Sequence, residues 1–66
     1  MFVREELRAE LARHGMSEDD LAELLGISRN TLYARYKACG DFSRSEIEKI
    51  GRRFGFDCIM RIFFAE

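Results

Sequence analysis

The chain has 66 residues, a formal charge of −1, 47% apolar residues and no proline. A domain this short buries only roughly 60% of its unfolded surface, so it has room for one small core and too little chain to enclose a catalytic pocket. No apolar run approaches the roughly 20 residues needed to cross a bilayer, and residues 1–6 lack the basic start and apolar stretch of a signal peptide, so the expected compartment is the cytoplasm.

In chain order, Val3, Leu7 and Leu11 recur every four residues and predict a first helix over 3–13, with Glu10 and Arg13 in solvent. His14 suits the C-terminal turn of that helix and Gly15 ends it. Ser17, followed three residues later by Asp20, approximates a capping box and opens a second helix that runs to about Leu25. Ala22 leaves room for a close crossing, and Gly26 can take the left-handed conformation that ends a helix. Ser28 then offers its hydroxyl to the free amides of a third helix over 29–37. Leu21, Leu25, Ile27, Leu32 and Tyr36 close on one core from both helices, while Arg29, Asn30, Tyr33, Ala34 and Lys37 lie on or near the face turned away. This spacing is that of a helix-turn-helix.

Residues 38–41 read as a stop, with Gly40 beyond the last turn. Phe42 precedes Ser43, and Glu46 stands three residues after it. That is a second capping box, with Phe42 placed to staple against Ile47, and it opens a fourth helix carrying Ile47, Ile50 and Phe54 on one face and Arg44, Lys49, Arg52 and Arg53 around the rest. The tail, 56–64, is β-branched and aromatic and partly alternating, which favours a strand. A lone strand leaves its backbone unpaired, so the expectation is pairing with the same strand of a second subunit, burying Ile62, Phe63 and Phe64 in a dimer interface. The other reading is that these phenylalanines close the monomer's core. Cys39 and Cys58, 19 residues apart, lack a metal spacing and read as small buried hydrophobes.

Charge is segregated along the chain. Residues 1–25 hold three arginines against seven acids, a formal −4, and residues 26–53 hold seven cations against three acids, a formal +4. The basic stretch contains the third helix, so the second half can face phosphates that the first half would repel. Glu18, Asp19 and Asp20 run against this, since they open the first motif helix with negative charge, although they suit its dipole.

The segment LAELLGISRNTLYARYK resembles the helix-turn-helix of phage repressors and Cro-like regulators. The likeness extends through DFSRSEIEKIGRRFGF and the ending IFFAE, covering most of the chain from Met16 onward. Such motifs usually carry an apolar residue at the position of Arg35, and here Tyr36 is expected to supply that packing. The resemblance implies a mainly α fold, a four- to five-helix repressor-like domain spanning 1–66, with a short terminal helix as the alternative to the tail strand. It also implies a sequence-specific regulator of transcription, acting as a homodimer on an inverted repeat in double-stranded DNA and acting as a repressor by blocking polymerase. The third helix would lie in the major groove with Ser28, Arg29, Asn30 and Tyr33 near base edges. Arg35, Lys37, Ser43 and Arg44 would hold the phosphate backbone.

The competing class is an antitoxin or adaptor whose apolar tail grips another protein. An enzyme is not expected: there is one histidine, no nucleophile beside a base at a recognisable spacing and no glycine-rich phosphate loop. No cofactor, metal or small-molecule ligand is implied.

Overall fold

The computed structural model describes residues 1–66 and contains five helices: α1 (Arg4–Arg13), α2 (Glu18–Leu25), α3 (Arg29–Lys37), α4 (Arg44–Phe54) and α5 (Asp57–Phe63). They enclose one cluster of 13 buried side chains, with Leu7, Leu21, Leu32, Ile50, Cys58 and Ile62 at its centre. No helix is long and apolar enough to cross a membrane.

The helix starts follow the serines. Ser17 accepts from the Asp20 amide at 3.1 Å while Asp20 accepts from the Ser17 amide at 2.9 Å, and Ser43 and Glu46 repeat the reciprocal arrangement at 3.2 and 2.8 Å. Each box satisfies two amides that a helix start otherwise leaves without partners. Between α2 and α3, Gly26 adopts φ +71° and the Ile27 amide donates back to the Ala22 carbonyl at 3.0 Å. This six-residue closure ends α2 and turns the chain within three residues into α3. After α3, Cys39 rather than Gly40 takes the first left-handed position, at φ +58°, with the Gly40 amide bonded to the Arg35 carbonyl at 2.9 Å. That carries Cys39 outward, so it is exposed, and only Cys58 is the buried small hydrophobe that both cysteines were expected to be.

The tail is a helix, not a strand. Strand-like composition is overruled because α5 packs between α1 and α4 and satisfies its own backbone, with Ile62 1% and Phe63 8% exposed. The Val3 amide donates to the Ile62 carbonyl at 2.7 Å, tying the start of α1 to the last turn of α5. Ile62 and Phe63, expected between two subunits, are therefore part of the monomer's own core, and of that trio only Phe64 faces solvent. Phe2 completes this corner, its ring 6.0 Å from Tyr36, 5.8 Å from Phe42 and 5.6 Å from Phe63. At Gly51, inside α4, a side chain would collide with the Phe56 ring, which lies across the helix there.

Ion pairs join the elements. Glu10, expected in solvent, is 5% exposed and receives Arg13 at 3.1 Å and Arg61 at 3.3 Å, which couples α1 to α5. A carboxylate taken out of water needs such partners.

Candidate DNA-reading face

The outward side of α3 begins at Ser28, whose hydroxyl accepts from the Thr31 amide at 3.0 Å and donates to the Thr31 hydroxyl at 2.9 Å. Ser28 is thus occupied as the helix cap. Next to it, Arg29 is exposed and pairs through Nε with Asp19 Oδ1 of α2 at 3.0 Å. Asn30 is exposed, and neither its side chain nor that of Lys37 bonds to anything within the chain. Tyr33 is half-buried, its ring flanked by the Arg29 guanidinium at 5.9 Å and the Arg4 guanidinium at 6.0 Å.

Arg35 stands apart from the expected set. It makes a forked pair with Glu46, Nε to Oε1 and Nη2 to Oε2, both at 3.2 Å, and is turned along the chain rather than left free for phosphate. The pair sits on a carboxylate that also receives the Ser43 amide, so one buried side chain caps α4 and locks its first turn against the last turn of α3. Burial disfavours the ionised form of Glu46, but the hydrogen bonds from Arg35 and Ser43 outweigh it and hold the carboxyl below its ordinary range. Tyr36 fills the core position that Arg35 leaves, as its spacing implied. Ser43 is the α4 cap, and Arg44, one residue on, is exposed without a carboxylate partner.

Sequence reasoning missed Arg4. Its guanidinium lies 4.5 Å from the centre of the Tyr36 ring, and Arg4, Tyr33, Tyr36 and Lys37 together line an open cleft at the edge of the α3 face. Arg4 and Lys37 come from opposite ends of a 33-residue separation, so no spacing rule could join them. Burial is the main cause that pushes the Tyr36 hydroxyl up to about 12, with the Glu18 charge adding to it, so it stays neutral at ordinary pH.

Each acid at the start of α2 has a partner within the chain. Glu18 pairs with Arg8 at 3.4 Å, Asp19 with Arg29, and Asp20 with the Ser17 amide. Of the cations in 26–53, Arg29, Arg35 and Arg52 have carboxylate partners, whereas Lys37, Arg44, Lys49 and Arg53 have none.

Two short helices crossing through a left-handed glycine turn, with the second turning polar side chains outward, define a helix-turn-helix regulator of the DNA-binding class. A family profile described as the antitoxin Xre-like helix-turn-helix domain matches residues 9–52, two thirds of the chain. The chain belongs to that family. No curated protein and no solved structure matched it.

Proposed function

We propose that this protein is a sequence-specific reader of double-stranded DNA that regulates transcription as a homodimer on an inverted repeat. The observation that carries the reading is the outward face of α3, where Arg29, Asn30 and Lys37 stand exposed, with Arg44 likewise exposed at the α4 start. In the major groove, Arg29 presents a donor fork suited to guanine O6 and N7, and Asn30 an amide suited to adenine N6 and N7. Tyr33 is placed to meet a thymine methyl or a phosphate. Lys37, Arg44 and Arg4 supply phosphate contacts, while Ser28, Ser43 and Arg35 contribute by holding the two helix starts in place.

The dimer uses α5 differently from the sequence expectation. Met60 in α5 and the two residues that flank the helix, Phe56 and Phe64, recur every four residues and are 62%, 60% and 56% exposed, an apolar stripe open to solvent although the Phe56 ring also lies across Gly51 of α4. A second copy of this chain is the proposed occupant, because a two-fold pair covers both stripes at once and a domain this small gains stability from association. Two readers about 34 Å apart then fit successive major-groove faces of one duplex. Bound at a promoter, the pair would repress by excluding polymerase.

Selection of duplexes from a random pool tests the reading. Enrichment of an inverted repeat supports it, and no enrichment at any protein concentration overturns it. The family match favours a second reading, an antitoxin that neutralises a protein partner through the same stripe. Replacing Met60 and Phe64 by aspartate separates the two. Loss of self-association and of palindrome affinity alone supports the dimeric regulator, whereas loss of a different protein partner with self-association intact supports the antitoxin.

A further inference from the structure

Of the three acids that open α2, Glu18 and Asp20 are engaged by Arg8 and by the Ser17 amide, contacts that hold α1 and the α2 start. Asp19 is different, because its partner is the first residue of α3, on the face proposed to read bases. The contact is through Nε, at 3.0 Å, and neither Nη group of Arg29 makes a hydrogen bond within the chain. Guanine presents two adjacent acceptors and is matched by two parallel donors from one guanidinium. The Tyr33 ring, 5.9 Å from the Arg29 guanidinium carbon, bounds the same side chain from within α3. A free arginine loses substantial rotamer freedom when it is ordered in a complex, and a carboxylate fixed in the neighbouring helix removes part of that loss beforehand.

We propose that Asp19 is a positioning residue that aims the Arg29 fork at guanine, so that a negative charge beside the groove raises sequence discrimination while it lowers general attraction to DNA. This rests on the reading of the protein as a DNA reader. The two side chains are 59% and 62% exposed, so water and salt screen the pair in the free protein. Docking displaces that water, and the same pair then acts in a lower dielectric. A carboxylate that merely repelled phosphate would have the opposite signature, because its removal would strengthen binding to every sequence by one factor.

The test uses the full chain and two duplexes: the one recovered from the random pool, and a copy in which the guanine that depends on Arg29 is changed to adenine. The affinity ratio between them is measured for the wild type, Asp19→Asn, Arg29→Ala and the double variant. Asp19→Asn is expected to lower the ratio by about three- to tenfold while tightening binding to the adenine duplex. In the Arg29→Ala background the same change should leave the ratio unaltered, because the coupling has lost one partner. Circular dichroism confirms that each variant keeps its helices. An unchanged ratio in Asp19→Asn, with both duplexes bound more tightly, overturns the positioning role and leaves DNA reading intact. A wild type that enriches no duplex, or an Arg29→Ala that spares every guanine, overturns the inference together with the assignment of Arg29.

Discussion

α3 and α5 are short helices of nine and seven residues that deploy their side chains in opposite directions. α3 buries only Leu32 and Tyr36 and turns Arg29, Asn30, Ala34 and Lys37 to solvent. α5 buries Cys58, Ile59, Ile62 and Phe63 and has no side-chain cap. Isolated helices of such length are marginal in water. The outward helix is therefore defined by its own ends, Ser28 before it and the left-handed turn after it. The inward helix is defined by the surfaces that receive it.

The sharpest break of this contrast is Ile62→Ala. It should lower stability by about 2–5 kcal/mol, since the residue is fully enclosed and its removal leaves a cavity, and a urea titration reads the shift. Asn30→Ala, on the outward helix, should leave the same titration unchanged.

Arg29→Ala should next cost about 1–3 kcal/mol of discrimination at one base, measured by competition between duplexes, with the fold intact. An equal loss at every base would make Arg29 a phosphate contact instead.

Glu46→Gln probes the junction between α3 and α4: a glutamine can still close the capping box, so the expected cost of about 1 kcal/mol near neutrality comes from the lost charge of the forked pair with Arg35. Its pH dependence is more telling. Because the folded carboxyl titrates below its ordinary value, the wild type binds fewer protons folded than unfolded, so the contribution of Glu46 is present above about pH 4.3 and lost as pH falls through the folded value. Glu46→Gln should flatten that acid limb in thermal melts taken across the range.

Lys37→Ala and Arg4→Ala should each weaken DNA binding evenly across sequences and reduce the slope of log affinity against log salt by about 1. Arg61→Ala, whose guanidinium is tied to Glu6 and Glu10, should not change that slope.

The smallest effect is expected at Tyr36→Phe. The hydroxyl is buried with no protein partner, so its removal should stabilise slightly, by less than about 1 kcal/mol. With the folded value pushed up to about 12, the wild type should lose stability as pH rises from about 10 toward it. Tyr36→Phe should remove that alkaline fall.

Much of this was legible in the residues. Ser17, Ser28 and Ser43 marked the starts of α2, α3 and α4, and the apolar spacing of Leu21, Leu25, Leu32 and Tyr36 marked the motif's inner face, because caps and helical periodicity act over three or four residues. The polar face of α3 followed by subtraction. The tail did not yield to this reasoning. Its β-branched and aromatic residues suit a strand by composition, and only contact with α1 and α4 makes them a helix. Arg35, Glu10 and Arg4 were misjudged or missed for a related reason, since local spacing does not tell which charge has a distant partner.

The sequence by itself determined where α1 to α4 run, where the chain turns sharply and which side of the motif is apolar, because those signals operate between near neighbours. Only the tertiary structure decided that the tail is helical, that Ile62 and Phe63 belong to one monomer, and which cations remain free. Each of those outcomes depends on groups far apart in the chain. Arg61 meets Glu10 across 51 positions and Arg35 meets Glu46 across 11, and the Val3 amide finds its acceptor at Ile62.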